Sequence, residues 1–359
     1  MKILTIVGAR PQFIKAAPVC QELKARGYSE YLVHTGQHYD YEMSQAFFEE
    51  LNIKPPDINL GVGSGSHAKQ TGEMLIGIEE AIKRQHPDWV LVYGDTNSTQ
   101  AGALAAAKIP VPIAHIEAGL RSFNRSMPEE INRIVVDHIS DLLLCPSEIA
   151  VRNLAAEGIT RGVHMVGDVM HDALRWAVAC AQKKSNILEE LGLQTGAYLL
   201  ATIHRAGNTD NPERLRRILT ALGQLAQREP VVFPVHPRTR NMIDSLGFES
   251  KFPGVRFLPP CSYINMVRLE QSARVILTDS GGIQKEAYWL SVPCVTLREE
   301  TEWVETVETG WNQVVGTDTG RIIKAALHLP QPEAHPLLYG DGQAASRCVE
   351  ALANGRSFV

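Results

Sequence analysis

The chain has 359 residues, of which 44% are hydrophobic and 21% charged, with a formal net charge of −5. That length exceeds one ordinary core and suits two domains, and the slight acidity excludes the clustered Lys/Arg surface of a nucleic-acid binder. No apolar run reaches membrane-spanning length, and the chain opens on a strand-like segment, so neither a membrane span nor a signal peptide is expected.

Six scattered cysteines without a C-x-x-C pair read as small core residues of a protein of the reducing cytoplasm. The twelve histidines show no H-E-x-x-H spacing, so no metal is expected. A short apolar strand, a polar or glycine-containing break and an amphipathic helix recur along the chain. This alternation predicts parallel sheets with helices on both faces, and ligands of such sheets gather outside the carboxyl ends of the strands.

The first strand, residues 3–7, ends in Gly8-Ala9-Arg10-Pro11-Gln12, with Pro11 suited to the first position of a helix that carries Lys15. Arg10 and Lys15 at a helix start conflict with the positive end of its dipole. A bound anion would resolve the conflict; solvated surface charges are the alternative, preferred for Lys15. Residues 31–35 form a second strand ending at Gly36-Gln37-His38. Gly61-Val62-Gly63-Ser64-Gly65 follows no convincing βα turn and reads as a mobile loop, so a nicotinamide cofactor is unsupported.

Strand 89–93 stops at Gly94-Asp95-Thr96, and strand 111–116 stops at Glu117-Ala118-Gly119-Leu120-Arg121. Asp95 and Glu117 thus end two successive strands at one rim, where convergent carboxylates suit acid–base chemistry. Glu129-Glu130, after Pro128, open a helix and equally suit dipole partners. Strands at 142–144 and 163–166 follow, and a helix from about Met170 leads to the second half. The boundary is placed there, giving domains 1–169 and 170–342, with the last helix, within residues 343–359, crossing back to the first.

The second half repeats the pattern. Strand 198–203 ends at His204-Arg205 and strand 231–235 at His236-Pro237-Arg238. Strand 273–277 runs into Thr278-Asp279-Ser280-Gly281-Gly282 before a helix from Ile283. Glycines at a strand-to-helix turn let a ligand approach the backbone, and the amides of the new helix favour an anion. A diphosphate site and an ordinary tight turn both fit this stretch alone. A rim histidine such as His204 is read as functional.

Taken together, these residues resemble the non-hydrolysing UDP-N-acetylglucosamine 2-epimerases along nearly the whole chain. The resemblance rests on Gly8-Ala9-Arg10-Pro11 with Lys15, Thr35-Gly36-Gln37-His38 and Gly94-Asp95-Thr96. It continues through His115 to Arg121, Pro128-Glu129-Glu130 with Asn132-Arg133, Thr202-Ile203-His204-Arg205, Val235-His236-Pro237 and Thr278 to Glu286. It implies an α/β, GT-B-like fold: two Rossmann-like, doubly wound domains with the active site in the cleft between them. The implied protein is a homodimer acting on a UDP-sugar without a cofactor. By the same resemblance Asp95, Glu117, Glu129 and His204 are catalytic. Arg10, Lys15, Glu130, Arg133, His236, Ser280, Gly281, Gly282 and Glu286 bind the substrate.

The chain departs from the commonest family pattern at Trp303, at His204 to Asn208 and at Tyr39-Asp40-Tyr41-Glu42. The Gly-Ala-Arg-Pro-Gln start, the run Glu302-Trp303-Val304-Glu305 and the tail Tyr339-Gly340-Asp341-Gly342 are similar to a branch acting on a diacetamido uronic acid nucleotide. The implied reaction is elimination of UDP to a glycal followed by re-addition, converting UDP-N-acetylglucosamine to its manno epimer. The same reaction on the diacetamido uronate, a GT-B glycosyltransferase and a non-catalytic sugar-nucleotide sensor are the alternatives.

Overall fold

Among the described residues every strand pairing is parallel, as expected of apolar runs separated by helical crossovers. The computed structural model describes residues 1–37, 50, 53–245 and 254–355. His38 and Tyr39 to Glu42 lie outside the described residues. The chain divides into two units, the first built from Met1–Arg175 and the segment beginning at Tyr339, the second from Trp176–Leu338.

In the first unit β1 (Lys2–Val7), β2 (Ser29–His34), β3 (Ile58–Asn59), β4 (Trp89–Tyr93), β5 (Ile113–Ile116), β6 (Leu142–Cys145) and β7 (Val163–Met165) form one sheet. Its order is β3-β2-β1-β4-β5-β6-β7. Chain direction across the sheet therefore reverses between β1 and β4, the topological switch point. Leu4, Ile6, Val90 and Val92 are fully buried, and Ala101, Ala103 and Ala106 of the helix Asn97–Ala107 pack against them. The small side chains let that helix lie close to the sheet. In the C-terminal helix Ala344–Asn354, the Ala344 and Ala345 amides donate to the Asp172 carboxylate at 3.1 and 2.9 Å.

The second unit carries β8 (Leu199–Thr202), β9 (Val231–Pro234), β10 (Val255–Leu258), β11 (Val275–Thr278), β12 (Cys294–Thr296) and β13 (Asn312–Val314). The order β10-β9-β8-β11-β12-β13 repeats the first arrangement, with the switch point between β8 and β11. The helix Pro212–Leu225 buries Leu215, Ile218, Leu219, Leu222 and Leu225 on one face, the i, i+3, i+4, i+7 spacing of an amphipathic helix. Asn211 caps it, accepting from the Glu213 and Arg214 amides at 3.1 Å each.

The glycine-rich stretch 61–65 differs from its expectation. It follows β3 and leads into the helix His67–Gln85, capped by Ser66. Val62 and Gly63 donate to the Thr35 and Gly36 carbonyls, and Gln70 donates to the Gly63 carbonyl at 2.7 Å. β3 has only two residues, too short for a periodic signal, which is why the sequence hides this βα turn.

Candidate active site

The first unit gathers its charged residues at the β1/β4 switch point. The helix Arg10–Ala25 starts directly after β1, and its Gln12 is buried. The Gln12 carbonyl oxygen accepts from the Gly8 and Ala9 amides at 2.8 and 3.1 Å, while its amide donates to the Tyr93 carbonyl and the Thr99 hydroxyl. One side chain thus locks the turn after β1 to the turn after β4. Its bonds to Tyr93 and Thr99 span 81 and 87 residues, so the sequence carried no signal for that link.

Lys15, one turn further on, points inward and forms a buried ion pair with Glu117. This corrects the solvated-surface expectation for Lys15: the anion that relieves it is a side chain 102 residues away. Glu117 has φ of +71°, a left-handed conformation that costs a non-glycine residue about 1–3 kcal/mol and clusters at functional sites. Gly94, at φ +64°, leaves room for the pair: a Cβ there would stand 3.1 Å from the Glu117 carboxylate and 3.3 Å from the Lys15 nitrogen.

Asp95 follows Gly94, and Arg133 Nε lies 3.2 Å from its carboxylate. Its side chain keeps 38% of its surface open, yet protein atoms crowd around it. That desolvation pushes the Asp95 carboxyl above the ordinary aspartate range, assisted by the charges of Glu117 and Glu129 and opposed by Arg133 and Lys15. Glu129 is exposed in the first turn of the helix Pro128–Ile139. Glu130 is buried, and its carboxylate accepts from the Ser122 amide and hydroxyl, the Phe123 amide and Arg133. It holds the loop before the helix in place. Arg10 is exposed at the start of its helix.

In the second unit the functional candidates flank the β8/β11 switch point. Ser280 caps the helix Gly281–Trp289, accepting from the Ile283 amide, and the first N–H groups of a helix have no intrahelical partner. They make a ready anion site. A Cβ on Gly281 would stand 2.7 Å from the Glu302 carboxylate, so the turn tolerates only glycine without rearrangement. Burial would raise the Glu302 carboxyl, but Arg298 at 2.8 Å and Arg205 at 3.6 Å hold it below the ordinary range.

His204 follows β8 with its side chain 48% exposed. Its backbone amide and that of Arg205 donate to the fully buried Asp279 carboxylate, which also accepts from Asn208. Asp279 therefore ties the end of β8 to the end of β11, a role that only the strand order makes visible. Glu286 is buried in the helix and accepts from the Tyr263 hydroxyl at 3.0 Å. His236 is exposed after β9. Trp303 is buried, with the Lys285 ammonium 4.0 Å above its ring.

Among the described residues no group of three or more His, Cys, Asp or Glu side chains could hold a metal, and no helix is long and apolar enough to cross a membrane. The structure thus brings Asp95, Glu117, Lys15, Arg133 and Glu130 together in the first unit. It places His204, Ser280, Gly281 and Gly282 along the switch point of the second.

The family model for UDP-N-acetylglucosamine 2-epimerase matches residues 21–353. A Methanococcus maripaludis UDP-N-acetylglucosamine 2-epimerase homolog is 52% identical, over 99% of this chain and 100% of that protein. The Pseudomonas aeruginosa UDP-2,3-diacetamido-2,3-dideoxy-D-glucuronate 2-epimerase is 50% identical, over 98% and 99%. The crystal structure of Methanocaldococcus jannaschii UDP-GlcNAc 2-epimerase in complex with UDP-GlcNAc and UDP superposes with a TM-score of 0.90 at 41% identity, over 99% and 100% of the two chains.

Proposed function

We propose, from the premise that the chain belongs to the UDP-N-acetylglucosamine 2-epimerase family, that it inverts carbon 2 of a UDP-sugar. The interconversion is that of UDP-N-acetylglucosamine and UDP-N-acetylmannosamine. The observation that carries this reading is the cluster of Asp95 and Glu117 with Lys15 and Arg133 at the first switch point. A transferase would need an acceptor pocket and no such pair, and a mere sensor would have no use for strained, charged carboxylates.

Carbon 2 has no adjacent carbonyl to acidify its proton, so departure of the leaving group must assist its removal. A carboxylate takes the C2 proton while the C1–O bond to UDP breaks. The C–H electron pair becomes the C1=C2 bond of a glycal, and UDP leaves with the C1–O pair. Return of a proton to the opposite face of C2, with re-addition of UDP oxygen at C1, gives the epimer. Two faces require two acid–base groups, which we assign to more than one of Asp95, Glu117 and the nearby Glu129. Burial raises the Asp95 carboxyl above the ordinary aspartate range, which favours its proton-holding form more than in a solvated carboxylate.

The departing diphosphate requires positive potential. We assign it to the amides at Ser280-Gly281-Gly282 and to Arg10, with Glu286 on ribose hydroxyls, His236 on the nucleotide and His204 beside the reacting sugar. Lys15 and Arg133 hold the carboxylates, and Glu130 holds the loop that precedes Glu129. The six cysteines are all unpaired, which supports a reducing, cytoplasmic setting. We also assign the protein a homodimeric state, from the family resemblance.

A second reading, the same reaction on UDP-2,3-diacetamido-2,3-dideoxyglucuronate, is favoured by the 50% identity to the Pseudomonas aeruginosa protein. Comparing kcat/KM on the two nucleotides decides between them. Turnover of neither, by folded protein that binds UDP, would defeat both. Light scattering after gel filtration tests the dimer: a mass of one chain would refute it.

A further inference from the structure

His115, Asp137 and Arg121 form a buried charged cluster beneath the carboxylates, and none of the three has a role in the chemistry above. His115 lies on β5 with no exposed surface; its Nδ1 faces Asp137 Oδ1 at 2.8 Å and its Nε2 faces the Gly94 carbonyl at 2.8 Å. Both ring nitrogens thus face oxygen atoms, a carboxylate on one side and a backbone carbonyl on the other. Asp137 accepts further from the Gly119 amide at 3.1 Å and from Arg121 Nη1 at 2.6 Å. Arg121 in turn makes a two-bond pair with Glu157, through Nε at 2.7 Å and Nη2 at 2.8 Å. Burial alone would raise the Asp137 carboxyl, but the contacts from His115 and Arg121 hold it below the ordinary range.

The positions of these contacts matter. Gly94 immediately precedes Asp95, and Gly119 follows Glu117 by two residues; both glycines have positive φ. One cluster therefore grips the two turns that carry the two carboxylates.

We infer that His115 is a positioning residue for the epimerisation: through the Gly94 carbonyl and through Asp137 it fixes the spacing of Asp95 and Glu117. The inference rests on the assignment of those two carboxylates as the acid–base groups. A buried ion network that merely stabilised the fold would have no reason to end on these two turns. A misplacement of about 1 Å can cost about 100-fold in rate.

The two ring nitrogens can be separated by substitution. His115→Gln places an amide donor near the Nε2 position and keeps the bond to Gly94. His115→Asn places one near Nδ1 and keeps only the bond to Asp137. The full chain is assayed for kcat, KM, UDP affinity and unfolding temperature, with Asp95→Asn alongside. The expected result is that H115N loses about 10- to 100-fold in kcat while KM and UDP affinity stay within about 3-fold, and that H115Q, which gives up the Asp137 bond alone, also loses kcat but keeps more of it than H115N. H115N should also move the acidic limb of the rate profile, because the surroundings of Asp95 change.

If folded H115N keeps wild-type kcat, the inference is overturned while the functional reading stands. If D95N is fully active, the functional reading fails and the inference falls with it. Should H115N not fold, Arg121→Lys replaces it, loosening the Glu117 turn while the Gly94 bond remains. A fall in its kcat at unchanged UDP affinity supports the inference, and an unchanged kcat overturns it.

Discussion

The ammonium of Lys15 and the carboxylate of Glu117 form a buried ion pair although 102 residues separate them. Removing one member of such a pair strands the other without water. Lys15→Met should therefore destabilise the first unit by about 3–5 kcal/mol. Adding Glu117→Gln to that variant should recover much of the loss, because a neutral amide needs no cation. Urea unfolding of the two single variants and the double variant measures the coupling; strict additivity would contradict the pair as described.

Arg133 sets the working pH of Asp95. Burial raises the Asp95 carboxyl and the guanidinium 3.2 Å away opposes that rise. Arg133→Met removes the opposing charge, so the carboxyl rises further and the base form is lost at a higher pH. The acidic limb of kcat/KM against pH should move toward neutrality. A limb that stays or moves to lower pH would separate Asp95 from the rate.

Away from the site, Glu30 accepts hydrogen bonds from the Thr5 hydroxyl at 2.6 Å and the Cys20 thiol at 3.1 Å. Desolvation by burial raises its carboxyl. A raised carboxylate opposes folding fully above its folded pKa, and that opposition disappears below its unfolded value of about 4.3. Glu30→Gln should then raise the unfolding temperature at pH 8 and leave it nearly unchanged at pH 4. Equal effects at the two pH values would refute the burial argument.

Gly281 tests the anion site of the second unit. A methyl group there would meet the Glu302 carboxylate at 2.7 Å and the Trp303 indole nitrogen at 3.2 Å, at the first turn of the helix. Gly281→Ala should weaken UDP binding by about tenfold or more, a loss of about 1.4 kcal/mol, with little effect on unfolding of the first unit. Calorimetric titration with UDP measures it, and an unchanged affinity would place the diphosphate elsewhere.

Much of this was legible in the sequence because strand ends punctuate the chain. Asp95, Glu117, His204 and Ser280 each follow a buried apolar run, and the doubly wound order then puts three of them beside a switch point and Glu117 one strand away. What stayed hidden depended on distant partners. Gln12, Asp279 and Asp137 look like ordinary polar residues in sequence, and only the sheet order reveals the turns they join. Lys15 belongs with them, since its carboxylate partner follows β5, four strands later in sequence and only two places along in the sheet order. Short strands such as β3 and β13, with two and three residues, carry too little periodicity to be found.

The central claim is that carbon 2 loses its proton as UDP leaves. Proton NMR of UDP-N-acetylglucosamine incubated with the protein in deuterated water tests it most directly. The account predicts a UDP-N-acetylmannosamine product carrying deuterium at carbon 2, with the same label growing into the starting sugar. A manno product that retains its original carbon 2 proton would contradict it.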